Sequence, residues 1–299
     1  MNKVLIANRG EIALRVMRSC RELGIRTVAI YSDADVESLH VQVADEAYRI
    51  GAAPVEESYL NAEAILAAAK ESGADAVHPG YGFFSENAPF ARAVQAAGLV
   101  WIGPSPDSMA RMASKISSRE IALAHDVPVI PAITLTADAA LDCHAVISAL
   151  DLPLLIKSSA GGGGIGMREV HTEAELEPAI AEARKHAQRQ FGNSDLLIEK
   201  LVISGRHVEV QVIADSHGNM LHLFERDCSA QRRRQKILEE APAPGLADST
   251  RVALQQSALR LAGAVDYQGV GTVEFLVAGD DFYLLEMNTR LQVEHPVTE

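Results

Sequence analysis

The last stretch of the chain, Gly269 to Glu299, constrains the fold most: GVGTVEFLVAGDDFYLLEMNTRLQVEHPVTE. β-Branched and apolar residues alternate over Gly271–Ala278, Gly279-Asp280-Asp281 supplies a turn, and Phe282–Met287 returns. That pattern predicts a β-hairpin. Glu274 falls on the first strand. On the second, Glu286, Asn288, Arg290, Gln292 and Glu294 occupy every second position, so an extended chain would carry all five on one face. Two carboxylates and a carboxamide oxygen from adjacent strands suit a hard cation such as Mg²⁺, which takes oxygen ligands and bridges substrate phosphates. An arginine and a further glutamate beyond them can hold and deprotonate a small anion. A half-buried strand with a solvated charged face is the plainer reading. It leaves unexplained why Asn and Gln share that face and why the face runs straight into an apolar segment.

The chain has 299 residues, enough for a sizeable core and for two or three subdomains. No run of about 18 apolar residues occurs, so no membrane-spanning helix is expected. The start, MNKVLIANRGEIALR, reads as a strand and a helix and not as a signal peptide. Cys20, Cys143 and Cys228 form neither a metal motif nor an even disulfide set, which points to a reducing, cytoplasmic setting. The formal net charge of −13 argues against a broad nucleic-acid surface. Arg232-Arg233-Arg234 with Lys236 is the local exception. Glu225, Asp227, Glu239 and Glu240 surround it, so it reads as an anion pocket, with a solvated mixed-charge loop as the alternative.

Upstream, strands and helices alternate. Val4–Ala7 is a short strand, and Asn8-Arg9-Gly10 turns into a helix over Glu11–Leu23 that stops at Gly24. Strands Thr27–Tyr31, Ala74–His78 and Leu99–Ile102 interleave with helices Leu39–Val43, Asn61–Ser72 and Asn87–Ala97. This predicts a doubly wound parallel sheet with its ligand crevice at the C-terminal strand ends. The first turn lacks G-x-G-x-x-G, so no dinucleotide site is expected there. His78-Pro79-Gly80-Tyr81-Gly82 sits at a strand end, as a ligand loop or as a plain turn. Gly103–Asp126 places Lys115 in a helical pattern, and Val127–Pro131 reads as a linker because its two prolines extend the chain. A second unit follows: helix Ala137–Leu150, strand Leu154–Ser158, loop Ala160–Gly166, strand Met167–Val170, helix Glu173–Gln190 and strand Leu196–Lys200. His207–Ala214 and Met220–Arg226 pair as a hairpin. A charged loop spans Asp227–Gly245, and helix Thr250–Ala264 leads to the terminal hairpin.

A second chemical signal is Lys157-Ser158-Ser159-Ala160-Gly161-Gly162-Gly163-Gly164-Ile165-Gly166-Met167. Consecutive glycines between strands weaken packing, yet they let successive backbone N–H groups fold over an anion. A lysine at the preceding strand end reaches the same phosphates. The order is not that of a Walker A loop. Glu199-Lys200-Leu201-Val202, at another strand end, offers backbone groups and a charged side chain to an adenine edge.

ANRGEIALR, HPGYGF-SEN, the lysine-then-polyglycine loop, RHVEVQV, ERDCS-QRR-QK-EEAPAP and EMNTR-QVEHPVTE together resemble the biotin carboxylase component of biotin-dependent carboxylases. The resemblance runs from Lys3 to Glu299 and implies an α/β plus α+β fold: an N-terminal doubly wound parallel sheet followed by ATP-grasp domains, the last incomplete. It divides the chain into a Rossmann-like domain at 1–113, a linker helix at 114–130, a lid at 131–202 and the first part of the catalytic domain at 203–299. It implies a cytoplasmic ligase that uses ATP, bicarbonate and Mg²⁺ or Mn²⁺ to carboxylate biotin. By this resemblance Lys115, Lys157, Gly163, Gly164, Glu199, Lys200, Leu201, Val202, His207, Gln231, Arg234, Glu274 and Glu286 contact ATP. Glu274, Glu286 and Asn288 ligate the metal. Lys236, Arg290, Gln292, Val293 and Glu294 hold bicarbonate, with Glu294 as general base and Lys236 and Arg290 as catalytic cations.

Arg234 stands where the family usually has histidine, and Ile165 replaces a lid cation. Family members also continue for roughly another domain, so this chain is expected to be a fragment with an incomplete biotin site. No Met-Lys-Met biotinylation setting occurs, so biotin would arrive in trans on a carrier domain. A carboxyltransferase partner, and a homodimer in the full-length protein, are implied; nucleic acid and membrane are not. Two other readings stand beside this one: a different ATP-grasp ligase, and a non-catalytic module that binds nucleotide or a partner.

Overall fold

The computed structural model describes residues 1–139, 141–159 and 166–299. Gly161 to Ile165, and with them the phosphate-loop readings for Gly163 and Gly164, lie outside those residues. In chain order come β1 (Lys3–Ile6), α1 (Gly10–Glu22), β2 (Arg26–Ser32), α2 (Leu39–Val43), β3 (Glu46–Gly51), α3 (Ala62–Ser72), β4 (Ala76–His78), α4 (Ala88–Ala96) and β5 (Val100–Trp101). These strands form a parallel sheet of order β3-β2-β1-β4-β5. The order reverses at β1 and β4, the switch point where such sheets open a crevice. Asn8, just past β1, holds the turn after β4 by donating from Nδ2 to the Pro79 and Tyr81 carbonyls, each at 2.7 Å. Gly80 has φ 64° there, and a Cβ would meet Asn8 Nδ2 and Ile12 Cγ1 at 3.0 Å. The glycine is therefore explained by packing in the turn. Local caps fix the helices: the Asn61 and Asn87 side chains accept from the Ala64 and Phe90 amides.

Next come α5 (Pro106–Ala113), α6 (Lys115–Ala124), β6 (Ala132–Leu135), α7 (Cys143–Leu150), β7 (Leu154–Ser158), β8 (Arg168–Val170), α8 (Glu173–Phe191) and β9 (Leu196–Lys200). A second sheet of order β6-β9-β7-β8 is antiparallel. The prolines flanking Val129-Ile130 disguise the start of this unit. The linker reading stops short of β6, and the expected helix from Ala137 begins only at Cys143, capped by Asp142.

The third sheet carries β10 (Arg206–Ala214), β11 (Met220–Arg232), β12 (Gln235–Glu240), α9 (Asp248–Ala264), β13 (Gly269–Ala278), β14 (Asp281–Asn288) and the closing turn α10 (His295–Thr298). Its order is β12-β11-β10-β13-β14. Alternation in β10 divides its two faces. Val208, Val210 and Val212 join Leu254, Ala258 and Leu261 of α9 in one core, while His207, Glu209 and Gln211 face the other way. Two expectations fail here. The charged stretch from Asp227 is mostly not loop: β11 continues to Arg232, Arg233 and Arg234 make a two-residue turn at φ 52° and 64°, and β12 returns. The extended chain of the terminal hairpin ends at Asn288, so Arg290, Gln292 and Glu294 sit beyond the strand and not along one strand face.

Candidate active site

The register of the third sheet sets a row of charges across its polar face. Arg226 on β11 is opposite Glu209 on β10, Glu209 is opposite Glu274 on β13, and Glu274 is opposite Glu286 on β14. Like charges directly opposite each other destabilise a sheet, so this row needs cations. Arg226 supplies one at its end: Nε donates to Glu209 Oε1 at 2.6 Å. Lys236, returning on β12 after the two-arginine turn, supplies the second. Its ammonium contacts Glu209 Oε2, lies 2.9 Å from Glu274 Oε1 and reaches Glu294 Oε1 at 2.5 Å. His207 also faces Glu274, with Nε2 3.0 Å from Glu274 Oε2, while Gln231 Nε2 donates to its Nδ1 at 2.8 Å.

The electrostatics follow from that arrangement. Burial works against the Lys236 ammonium, but Glu274, Glu209 and Glu294 overcome it and hold its pKa above the ordinary lysine value. Burial likewise works against the Glu274 and Glu294 carboxylates. His207 and Lys236 hold Glu274, and Lys236 holds Glu294, below the usual carboxylate range. His207 is pushed down by burial but more strongly up by Glu274, so its pKa ends above the usual imidazole value. At the far end of the row the sign reverses. Burial and the Glu274 charge push Glu286 up, and burial with the Lys157 charge pushes Lys115 down against the pull of Glu286.

A cleft of about 350 Å³ opens between this sheet and the second one. Lys115, Lys157, Glu199, Lys200, Leu201, Val202, His207, Gln231, Arg234, Glu274 and Glu286 all line it. Every described residue expected at ATP is therefore brought to one space. Lys157 pairs with Glu199 at its wall, and both are buried. The Lys200 and Leu201 N–H groups are already committed, to the Pro131 and Pro153 carbonyls at 3.0 and 2.9 Å.

Of the five residues expected at bicarbonate, four form two pairs and Val293 stands apart. Lys236 meets Glu294, as above. Arg290 donates from Nη1 to Gln292 Oε1 at 2.9 Å and from Nη2 to Asn288 Oδ1 at 3.3 Å. Val293 is exposed. Asn288 Nδ2 donates to Glu274 Oε1 at 2.7 Å, so its amide would turn over to offer oxygen to a cation beside Glu274. The donor set fits a divalent cation at the Glu286 end, where the half-buried Glu286 carboxyl lies opposite the buried Glu274 on the neighbouring strand, with the Asn288 amide beside them. Closer to Lys236, the ligating atoms of His207, Glu209 and Glu274, and those of Glu209, Cys228 and Glu294, lie within 4.8 Å of one another. Cys228 is held in its thiol form by burial and by Glu209.

Sequence reasoning missed three members. Glu209 was visible in the alternation of His207, Glu209 and Gln211. Arg226 was read as the end of a strand and not as a core residue. Glu86 accepts from the Thr289 amide at 3.2 Å and from Arg290 Nε at 2.9 Å, and no local pattern announces a contact across that separation.

Two family models cover the chain: one described as "Biotin carboxylase, N-terminal domain" matches residues 1–109, and one described as "Carbamoyl-phosphate synthase L chain, ATP binding domain" matches residues 114–299. The biotin carboxylase of Halalkalibacterium halodurans is 53% identical over 298 residues, covering 99% of this chain and 66% of that protein. The propionyl-CoA carboxylase alpha chain of Ruegeria pomeroyi is 50% identical over 299 residues, 44% of its length. Among solved structures, a Campylobacter jejuni biotin carboxylase superposes with a TM-score of 0.93 at 46% identity, covering all of this chain and 67% of that one. The biotin carboxylase domain of a Hydrogenobacter thermophilus 2-oxoglutarate carboxylase, solved with MgADP and bicarbonate, gives 0.93 at 44%, again covering all of this chain and 66% of that one. The chain thus spans about two thirds of these biotin carboxylases and less than half of that alpha chain.

Proposed function

The chain belongs to the biotin carboxylase family, and on that premise we propose that it activates bicarbonate with ATP for the carboxylation of biotin. One observation carries the reading: a carboxylate kept ionised, Glu294, touches a cation kept charged, Lys236, beside a lysine-lined cleft. Lys236 and Arg290 would hold bicarbonate. Glu294 takes its proton, and the freed oxygen attacks the γ-phosphorus of ATP as the bond to ADP breaks, giving carboxyphosphate. Lys115 and Lys157 offset charge on the transferred phosphoryl group, where positioning and electrostatics do most of the catalysis. Glu199–Val202 would meet the base, and His207, Gln231 and Arg234 complete the nucleotide wall. Glu274, Glu286 and Asn288 would hold Mg²⁺ or Mn²⁺, which neutralises phosphate charge when bound. The divisions at 113, 130 and 202 belong to the same proposal.

Carboxyphosphate then breaks into CO₂ and phosphate, and N1′ of biotin, its proton passing to phosphate, takes up the CO₂. Biotin would come in trans on a carrier domain and leave to a carboxyltransferase acting on an acyl-CoA, in a reducing cytoplasmic setting. In the longer relatives' architecture this unit would work as a homodimer. Among the described residues no helix is long and apolar enough to cross a membrane. ADP release is measured with Mg·ATP, with and without bicarbonate and free biotin. Bicarbonate-dependent release that biotin raises is expected. ATP protection against heating with no bicarbonate-dependent release would replace the reading by a nucleotide-binding module.

A further inference from the structure

Arg226 heads the side chains closed off from solvent, and the reaction above gives it no task. Its place is set by a bulge. Val210 pairs with Glu225 and Val212 with His222, so β11 carries one extra residue and Phe224 takes φ 60°. Beyond the bulge, Glu225 points at α9, where Gln255 Nε2 donates to it at 2.7 Å, and Arg226 points at the charged row. The guanidinium donates to Glu209 Oε1 at 2.6 Å, Gln211 Oε1 at 2.9 Å, Thr272 Oγ1 at 3.2 Å and Thr298 Oγ1 at 2.6 Å.

Stability alone does not account for such a group. A buried ion pair gains no more than a well-packed apolar pair of the same volume. What the arginine gives is direction. It takes one oxygen of Glu209 and leaves the other facing Lys236. It also ties down Thr298, on the turn that follows Glu294. We propose that Arg226 is a positioning residue for bicarbonate activation: through Glu209 and Thr298 it sets Lys236 against Glu294. The inference rests on the function proposed above, and it asks one guanidinium to align a cation on β12 with a base beyond β14.

The test is the kinetics of R226M and R226K beside E209Q and R226M/E209Q. R226M should raise the bicarbonate KM about 10-fold or more, as loss of a group that orients a binding residue does, with R226K intermediate. The ATP KM should stay within about twofold of the parent. R226M/E209Q should match R226M, because both changes cut the same link. A folded R226M with the parent's bicarbonate KM, an ATP KM rising in step, or multiplying effects of the two substitutions would each overturn the proposal. R226K retains the charge and carries the test if R226M does not fold. If the parent protein lacks bicarbonate-dependent turnover, it is the proposed function that falls. The link then still faces thermal unfolding of R226M, K236M and the double variant without substrates: non-additive midpoints are expected, and additive ones refute it.

Discussion

The two ends of the charged row differ in what neutralises them. At one end Glu209 sits between Arg226 and Lys236, and Glu274 between Lys236 and His207. At the other, Glu286 and Lys115 are both shifted toward their neutral forms, by burial first and by the like charges of Glu274 and Lys157, which together outweigh their mutual attraction. Four residues aligned by one strand register thus meet two electrostatic environments. The difference teaches where ligands belong. The saturated end is built to hold the Glu294 carboxylate, the base of the function proposed above, ionised beside Lys236. At the unsaturated end burial disfavours the charged forms of both groups, so under the function proposed above that end would gain most from a divalent cation and phosphates arriving together.

The largest predicted effect separates the two lysines. Lys236→Met leaves three carboxylates without their shared cation, and bicarbonate-dependent ADP release should fall by about 10²–10³-fold. Stability should fall by roughly 3 kcal/mol, the low end for breaking a buried pair, because Lys236 keeps some exposure. Lys115→Met should raise the ATP KM yet leave the thermal midpoint unchanged or higher, since burial already disfavours its charge. If both variants lost equal stability, the contrast between the two ends would be false.

The carboxylates give the next effect, with opposite signs. Glu274 is held below the ordinary carboxylate value, so its contribution is complete above that value and is lost as pH falls through the folded pKa. Glu286 is held above its ordinary value, so it costs stability once pH rises past that value. In chelator at neutral pH, Glu274→Gln should therefore lower the thermal midpoint and Glu286→Gln should raise it or leave it. Both should abolish metal-dependent turnover. His207 adds an alkaline limb: its raised pKa gives stability that is complete below the ordinary imidazole value and is lost as pH rises through the folded one. His207→Gln should flatten the stability profile from neutral to mildly alkaline pH. A midpoint profile unmoved by all three substitutions would remove the electrostatic reading of the row.

The row also shows what the sequence could and could not disclose. The parallel sheet was legible because its longer helices carry their own stops or caps, such as Asn61 and Gly73 around α3 and Asn87 before α4. Its edge strand β3 was missed: Glu46 and Arg49 lie on a half-exposed strand without the apolar run that marks the others. The polar faces of β10 and β14 were legible through period two. β12 was not, because a strand that turns charge toward a site has the composition of a loop, and Arg233 and Arg234 occupy a turn position where Asn and Gly are the usual signal. Arg226 was least legible. A bulge shifts its parity, and only the three-dimensional register sets it opposite Glu209.

The smallest effect concerns Glu86, which reaches from the first sheet's domain to Arg290. Its side chain is 43% exposed, so the pair is screened and worth at most about 1 kcal/mol. Glu86 does two opposed things. It orients Arg290, and it competes with any anion for that charge. Glu86→Gln keeps a hydrogen-bond acceptor and removes the competing charge, so the bicarbonate KM should fall slightly. Glu86→Ala removes both, and Arg290, released from its orienting partner, should bind the anion less well. Each change should stay within about fivefold, given that 1.4 kcal/mol corresponds to tenfold, and both should shrink as salt is added. If both variants raised the KM equally, orientation alone would explain the contact. If both lowered it, Glu86 would be only a competitor, and the anion-facing geometry of Arg290 would owe nothing to the first domain.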